Sequence, residues 1–338
     1  MGHGADSNAV GKVKWRFTAG GDIAFGCALG TNGDVFFGSG DRYVYALNTS
    51  TGALHWKFKT GGYICCSPTV GNNGIVYIGA NDGILYALNS ETGRWKWKYN
   101  TGQQVRTQPA IGADGTVYFG SMNDYVYAVN GKTGFIKWQY KTGDHVLSGP
   151  ALGHDGTVYF GSYDRNVYAL DGKTGQLKWK YATDFAIAAA PAIGPDGTVY
   201  IGSWDYCAYA LNGLTGQLKW KYRTKDIVDT RPALGANNTV YFGGWDNIVH
   251  AFNGSTGLQI WQYPTGDGIR SNPIVGPDGT VYVGSYDGNI YALDGDTGGR
   301  IWRYHLGAGG TQASPAIDDD GTIYIGSKDN TFYALTGP

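Results

Sequence analysis

The chain has 338 residues, 42% of them hydrophobic, and a chain of this length buries a large core when it folds. Its 26 basic residues nearly balance its 27 acidic ones, which excludes the strong overall field that draws a protein to nucleic acid or to an anionic membrane. No apolar run in the sequence approaches the roughly 18 residues that a membrane-spanning helix needs. We therefore expect neither nucleic-acid binding nor a membrane span.

The N-terminal residues, MGHGADSNAV, are polar and lack the hydrophobic stretch of a signal peptide. We expect residues 1–9 to form a flexible segment and residues 10–338 to form a single domain. The cellular compartment stays open, because a cytosolic protein and an exported protein given without its signal would have the same sequence here.

Tryptophan recurs at a fixed interval of 41 residues from one end of the chain to the other. A constant interval of this size is the signature of a repeat architecture. Eight repeats account for nearly the whole chain, so they favour one closed body over the two or three domains that length alone suggests. The eight tryptophans are Trp15, Trp56, Trp97, Trp138, Trp179, Trp220, Trp261 and Trp302.

The repeat that begins near residue 150 predicts four short β-strands. The segments 157–162 and 166–171 alternate in the strand sense and contain β-branched and aromatic residues. A short apolar segment at 150–153 precedes them, and the tryptophan-bearing segment 177–181 follows. The connecting sequences HDG, YDR and GKTG form turns. Four strands in about 40 residues, with no helical period, predict one blade of a β-propeller.

The two ends of the chain predict how the ring closes. Seven copies of the pattern A-x-[D/N]-x-x-T-G-x-x-x-W are complete, whereas the eighth stops after Ala334 and Leu335, before its own tryptophan strand. A lone strand around Trp15 opens the chain and can supply the missing one. We therefore predict an all-β, eight-bladed β-propeller with four antiparallel strands per blade, closed by pairing of the N-terminal strand with the C-terminal blade.

This pattern resembles the tryptophan-docking motif of the PQQ-dehydrogenase-like eight-bladed propellers. That superfamily includes quinoprotein alcohol dehydrogenases and the outer-membrane assembly lipoprotein BamB, and the resemblance covers essentially the whole chain. In the family the indole packs between neighbouring blades and donates a hydrogen bond to the adjacent motif. The resemblance therefore implies a structural role for all eight tryptophans.

Positions that differ among the copies are free to serve something other than the scaffold. In the segment that leads into each innermost strand, a constant aliphatic residue precedes a variable one. By strand alternation the variable residue points towards the central channel. Two residues further on, Arg231 and Asn272 add polar groups, and the eighth copy carries a one-residue insertion before Pro315. The variable residues are Ala24, Cys65, Arg106, Leu147, Ala188, Asp229 and Arg270.

Hairpin tips between the second and third strands project from the same face of the ring. They carry Met122, Tyr163, Trp204, Trp245, Tyr286 and Lys328. With Tyr63, His145 and Phe185 these tips predict an aromatic rim around the channel mouth, and a concave site of this composition is typical of ligand binding. Ordinary exposed loop residues that pack on neighbouring blades are the alternative. The predicted ligand-binding residues are Cys65, Cys66, Arg106, Asp229, Arg231, Arg270, Tyr163, Trp204, Trp245 and Tyr286.

The resemblance to quinoprotein dehydrogenases implies a further hypothesis, binding of PQQ with calcium. In that hypothesis the adjacent pair Cys65 and Cys66 closes a strained ring over the quinone, and the three channel arginines neutralise the carboxylates of PQQ. Asp229 would then be the base that accepts the alcohol proton, or a calcium ligand beside Asn272.

Three features of the sequence oppose that hypothesis. The family holds calcium partly through a glutamate, whereas the single glutamate of this chain, Glu91, lies in a turn on the opposite face. The chain also lacks long insertions between the blades and a C-x-x-C-H haem attachment site. We therefore assign no catalytic residue and no metal site, and name Asp229 as the catalytic residue only for the case of an enzyme.

The sequence favours a non-catalytic binding or scaffolding propeller, monomeric, with its ligand at the channel mouth. The ligand classes that suit the aromatic rim are a small molecule, a sugar, or a peptide or protein segment. Two alternatives stay open. One is a PQQ-dependent alcohol or sugar oxidoreductase, and the other is an engineered or recently amplified repeat protein selected for folding alone.

Overall fold

Eight antiparallel sheets follow one another along the chain and close into a ring, as the repeat predicts. The computed structural model describes residues 9–307 and 309–338. The segment 1–9, expected to be flexible, lies outside this range except for Ala9. Within the described residues, no helix has the length and apolar character that crossing a membrane requires.

Strands β1 (Ala9–Val10) and β2 (Lys12–Thr18) precede the first blade, and each blade then takes its strands in chain order from the channel outwards. Blades 1 to 4 comprise β3 (Cys27–Leu29), β4 (Asp34–Gly38), β5 (Tyr43–Asn48), β6 (Leu54–Lys59); β7 (Thr69–Gly71), β8 (Ile75–Gly79), β9 (Ile84–Asn89), β10 (Trp95–Asn100); β11 (Ala110–Ile111), β12 (Thr116–Gly120), β13 (Tyr125–Asn130), β14 (Ile136–Lys141); and β15 (Ala151–Leu152), β16 (Thr157–Gly161), β17 (Asn166–Asp171), β18 (Leu177–Ala182).

Blades 5 to 8 repeat this order, and a short 3₁₀ turn at Ala236–Asn238 interrupts blade 6. Their strands are β19 (Ala192–Ile193), β20 (Thr198–Gly202), β21 (Cys207–Asn212), β22 (Leu218–Arg223); β23 (Ala233–Leu234), β24 (Thr239–Gly243), β25 (Ile248–Asn253), β26 (Gln259–Pro264); β27 (Ile274–Val275), β28 (Val281–Gly284), β29 (Asn289–Leu293), β30 (Arg300–His305); and β31 (Ala316–Ile317), β32 (Ile323–Gly326), β33 (Thr331–Thr336).

The burial of each strand follows from its place in the blade. All five residues of β16 are buried, because neighbouring blades cover both faces of the second strand. The outermost strand β18 is mostly exposed, and only Trp179 within it is buried. The core is therefore a set of apolar layers between adjacent blades, and it does not lie around the central channel.

The ring closes where the sequence predicts. Strand β2 pairs antiparallel with β33, from Lys12 opposite Thr336 to Thr18 opposite Thr331 with one register shift between Val13 and Trp15, and completes blade 8. The sequence did not predict that β1 also pairs, in parallel, with β30 of blade 7. The N-terminal strands thus cover the outer edges of two blades, which removes edges that would otherwise be open to another chain.

Tryptophan side chains join each blade to the next. The Nε1–H of Trp138 donates to the carbonyl of Gly172 at 2.8 Å, and the same carbonyl accepts the Tyr118 hydroxyl at 3.0 Å. Gly175 in the same turn has φ of 73°, and a Cβ there would lie 2.7 Å from the Trp138 indole. Glycine is therefore required both by the left-handed backbone and by the close approach of the ring.

The role implied by the resemblance holds for seven of the eight tryptophans. Their indoles donate to carbonyls of the next blade at 2.7–2.9 Å. Trp302 is the exception: over the described ranges it has no equivalent bond, and it packs against Gly11, where a Cβ would lie 2.9 Å from the ring. Its blade is followed by the split one, in which the complete turn motif is missing.

We expect Trp138→Ala to lower the free energy of unfolding by about 3–5 kcal/mol, because it leaves a cavity between two blades and removes one of the two hydrogen bonds to the Gly172 carbonyl. Trp138→Phe keeps most of the ring contacts and should cost about 1 kcal/mol. Urea denaturation measures both. The control is Trp95→Ala on an outermost strand, where the side chain is 57% exposed, with an expected cost under about 0.5 kcal/mol. Equal losses at positions 138 and 95 would contradict the docking role.

Three carboxylates on the face opposite the channel mouth form the same small cluster in successive blades. The Asp114 carboxylate accepts the Thr116 hydroxyl and pairs with the Lys137 ammonium at 3.0 Å. Partial burial alone would raise the pKa of Asp114, but the bonds from Thr116 and Lys137 outweigh it and lower the pKa to about 2. The same cause lowers the pKa of Asp155 and of Asp196 to about 2.

These carboxylates give the fold an acid-sensitive contribution to stability. A carboxyl group whose pKa is lower in the folded state stabilises the fold fully above its unfolded pKa near 4, and this stabilisation disappears as the pH falls towards 2. Replacing Lys137, Lys178 and Lys219 by Met should make the loss of thermal stability between pH 4 and pH 2 shallower, with a modest effect because the pairs are exposed. An unchanged slope would contradict this assignment.

Candidate functional site

Every blade builds the channel mouth from the same two segments, held together by the backbone. The tip between the second and third strands donates its N–H to a carbonyl in the segment leading into the innermost strand. In blades 4, 5 and 6 these bonds join Tyr163 to His145, Trp204 to Ala186 and Trp245 to Ile227, at 2.9–3.0 Å. Because the backbone alone fixes the geometry, the side chains at these positions are free to vary.

The channel-facing side chains form two successive rings below the rim tips. The first ring consists of the variable residues predicted from the sequence, completed by Gln312 in blade 8. Adjacent members touch in both rings: Arg270 reaches Asp229, and the Asn272 side chain accepts the Arg231 backbone N–H at 2.7 Å. The second ring is Gly26, Ser67, Gln108, Gly149, Ala190, Arg231, Asn272 and Ser314.

A cavity of about 440 Å³ occupies the mouth and is lined by rim tips and by both rings. The structure brings together eight of the ten residues predicted to bind a ligand, namely Cys65, Cys66, Arg106, Tyr163, Trp204, Asp229, Trp245 and Arg270. Arg231 and Tyr286 are not among its lining residues. Tyr286 contacts two of the lining residues, Gln312 and Trp245, and Arg231 belongs to the second ring.

Five side chains from blades 5 to 8 form a continuous hydrogen-bond network, here called the mouth network. The two oxygens of Asp229 accept the indole N–H of Trp204 at 3.0 Å and the guanidinium of Arg270 at 3.0–3.1 Å. The side-chain oxygen of Gln312 accepts bonds from the hydroxyl of Tyr286 at 2.6 Å and from Arg270 at 3.4 Å. The network therefore fixes two rim aromatics relative to one ion pair.

The environment of Asp229 explains why this carboxylate is poorly suited to be a free base. Its side chain is 4% exposed, whereas that of Arg270 is 39% exposed. Burial raises the pKa of Asp229, and the bonds from Arg270 and Trp204 act in the opposite direction. Since both oxygens are already bonded, a proton transfer would require part of the network to break.

Aromatic rings cover the same side of the mouth in two adjacent pairs. The rings of Tyr163 and Trp204 have centroids 5.2 Å apart, and those of Trp245 and Tyr286 are stacked at 5.5 Å. The Arg270 guanidinium lies 5.7 Å from the Trp245 ring centre, a cation–π distance that adds to the ordering of the pair. The paired aromatic tips therefore form an arc over blades 4 to 7.

The adjacent cysteines have different environments. Cys66 occupies the repeat position of Thr107 and Thr230, and its Sγ bonds to the Gly79 carbonyl at 3.4 Å as their hydroxyls bond to Gly120 and Gly243. Burial raises the pKa of the Cys66 thiol to about 12. Cys65 is half-buried on the cavity wall beside Arg106, and both thiols are free. Cys66 thus serves the blade, whereas Cys65 faces the channel.

The residues at the mouth do not fit PQQ with calcium. Calcium takes six to eight oxygen ligands, yet Asp229 is the only carboxylate among the described residues that line the cavity. Both of its oxygens are bonded to the mouth network, and the Asn272 oxygen is bonded to the Arg231 N–H. The Cys66 thiol is directed towards the blade, so the pair does not present two sulfurs to a quinone.

Sequence reasoning missed two features of the mouth. Gln312 was overlooked because the insertion in the eighth copy shifts it by one residue, and an alignment with that gap would have placed it in the ring. The cluster of Asp124, Asp144 and His145 joins residues from neighbouring blades, and His145 Nδ1 lies 2.9 Å from Asp124. No spacing in the sequence predicts this cluster. The hydrogen bond between His145 and Asp124 explains why the side chains lie close together.

Comparison with known proteins agrees with this architecture. The family model described as "Outer membrane protein assembly factor BamB" matches residues 5–146, 142–274 and 245–337. The chain belongs to the BamB family. No curated protein sequence matches it.

Two solved structures show the same fold as this BamB-family propeller. BamB from Moraxella catarrhalis superposes with a TM-score of 0.82 at 20% identity, over 97% of this chain and 100% of that one. The computationally designed Ika8 protein gives a TM-score of 0.82 at 20% identity, over 94% and 98%. At this identity the likeness concerns the fold, and the functional residues must be argued from the mouth itself.

The mouth network predicts different effects for two similar rim substitutions. Trp204→Phe removes the donor to a buried carboxylate oxygen and should cost about 1–2 kcal/mol of unfolding free energy. Trp245→Phe removes no hydrogen bond and should change it by less than about 0.5 kcal/mol. Urea denaturation distinguishes the two, and equal effects would show that the Trp204–Asp229 bond does not contribute.

Proposed function

We propose that this BamB-family propeller is a non-catalytic binding module that holds an extended segment of a partner protein at the channel mouth. The observation that carries the proposal is the mouth network, which fixes Trp204 and Tyr286 beside a cavity of about 440 Å³. Aromatic side chains that are ordered before binding lose little entropy when a ligand arrives. Aromatics and arginine are also the residue types that dominate binding energy at interfaces.

A protein partner is favoured over a sugar or a small molecule by the family description. The matched family is named as an outer membrane protein assembly factor, and an assembly factor acts on other polypeptides. An enzymatic role has less support, because Asp229, the one carboxylate in the described wall, already has both oxygens bonded.

A repeat protein selected for folding alone is the weaker alternative. Such a protein has no reason to place charged and aromatic residues at the channel mouth in some copies and small residues there in others. Here the backbone bond of the rim tip recurs in every blade, while the side chains of the first ring range from Ala24 and Leu147 to Asp229 and Arg270. Divergence from small to charged side chains on a uniform backbone supports selection for binding at the channel mouth.

The test screens a peptide array for binding and then compares the affinities of two tryptophan variants. Overlapping 12-residue peptides from β-rich proteins are screened against the protein, and the peptides that bind are measured in solution by calorimetry. Trp245→Ala should weaken binding at least about thirtyfold, as expected for an aromatic anchor worth 2 kcal/mol or more. Trp95→Ala, which removes an exposed tryptophan far from the mouth, is the control and should bind as the wild type does. Failure of every peptide to bind, or equal binding by the Trp245 variant, would refute the proposal.

A further inference from the structure

The cavity carries more positive charge than its own carboxylate can balance. Arg106 lines the wall, and Arg231 lies in the second ring. Asp229, the sole acidic side chain of the described wall, is paired with Arg270. Over the residues that the structure describes, neither Arg106 nor Arg231 forms an ion pair, and the hydrogen bond of Arg231 uses its backbone N–H rather than its guanidinium.

The scaffold does not require these two arginines. At the ring position of Arg106 other blades carry Ala24, Leu147 and Ala188, and the same fold results. At the ring position of Arg231, blades 1, 4 and 5 carry glycine or alanine and the remaining blades carry an uncharged polar residue. Arg106 is half-buried, and a partly buried guanidinium without a carboxylate costs free energy that a bound anion would offset. Arg231 is exposed and adds a second positive charge to the same channel.

The residues around Arg106 indicate which kind of chemical group lies next to the anionic group in the bound ligand. Its neighbours in the first ring are Leu147 and then Ala188, with Gly149 and Ala190 beneath them in the second ring, and all four line the cavity. This wall is apolar and its side chains are small, so it leaves space for an apolar group of the ligand.

Tyr163 lines the same cavity from the rim, and its electrostatic surroundings indicate that the charged groups share one space. Burial raises the pKa of the Tyr163 phenol, the nearby Asp229 carboxylate raises it further, and Arg106 and Arg270 lower it. The phenol is therefore within electrostatic reach of groups from three different blades, and an occupant under Tyr163 meets the same charges.

We propose that the occupant of the mouth is an acidic peptide segment, in which a carboxylate binds the Arg106 guanidinium and an adjacent apolar side chain packs on Leu147 and Ala190. This inference rests on the proposed function, because it names the chemistry of the segment that the propeller holds. Arg106 offers a charge-assisted, two-pronged bond to the carboxylate. Arg231 adds a second positive charge deeper in the channel, which favours an acidic ligand over a neutral one.

The experiment compares peptides that differ by one charge. Each array peptide with an apolar residue next to glutamate is made in two forms, with Glu and with Gln, and both are measured by calorimetry. The Glu form should bind at least about tenfold more tightly, since a hydrogen-bonded charge contributes more than a neutral amide. The difference should vanish in Arg106→Gln and persist in Arg94→Gln, which removes the same charge from an exposed site on the opposite face.

Cys65 provides a second readout that does not depend on affinity. Its half-buried thiol lines the cavity beside Arg106, whereas Cys66 and Cys207 are buried. The Glu peptide should slow alkylation of Cys65 by iodoacetamide at least about fivefold, measured by mass spectrometry in each variant with and without peptide. The ratio within one variant removes any direct effect of Arg106 on the thiol.

The outcomes separate this inference from the proposed function. Equal binding of the Glu and Gln peptides, with both weakened by Trp245→Ala, would overturn the acidic ligand and leave the peptide-binding function in place. Absence of binding by both forms would overturn the two together. Full protection of Cys65 by 3-phenylpropionate at the concentration used for the peptide would identify a small organic acid as the occupant and overturn the peptide assignment.

Discussion

The hydrogen bond from a tryptophan indole to a carbonyl of the next blade is the interaction on which the molecule depends. The Trp138–Gly172 contact combines a buried ring, a shared acceptor and a glycine in a left-handed turn. Each of these elements needs the other two, and seven copies of the contact set the spacing between blades. With the outer rim of the ring fixed in this way, the innermost strands can be two or three residues long.

The division between scaffold and site follows from that arrangement. Backbone bonds hold every rim tip against its neighbouring segment, so the side chain of the tip can change without moving the tip. The tip and ring side chains differ strongly from one side of the mouth to the other. Blades 4 to 7 carry the aromatic tips, and blades 5 to 8 carry the mouth network, while the second ring in blades 1, 4 and 5 is reduced to glycine or alanine. The site is therefore one-sided although the fold is nearly symmetric.

The sequence predicted the scaffold well because the scaffold is periodic. Strand β16 lies within the predicted segment 157–162, and the pairing of β2 with β33 closes the ring as expected. The short strand β1 escaped prediction because two residues carry no period. Gln312 was not predicted because the insertion in the eighth copy shifts it by one residue from its repeat position.

The site was predicted less completely, because side-chain partners depend on distances between blades. Sequence placed Asp229 and Arg270 on the channel wall, yet only the structure shows that they pair with each other and leave Arg106 without a carboxylate. The same limit applies to the adjacent cysteines. Their adjacency in sequence does not indicate in which direction each thiol points. In the structure the Sγ of Cys66 contacts the Gly79 carbonyl, and the thiol of Cys65 faces the channel.

The shared sheet at the seam also has a consequence for synthesis on the ribosome. Lys14 in β2 contacts Asp320, which is 306 residues away in sequence, so β2 leaves the exit tunnel long before its partner strand exists. Bringing such distant segments together is entropically expensive and slow. During translation the growing arc therefore exposes an unpaired edge at each end, and the nascent chain gains protection from aggregation only when its last strand emerges.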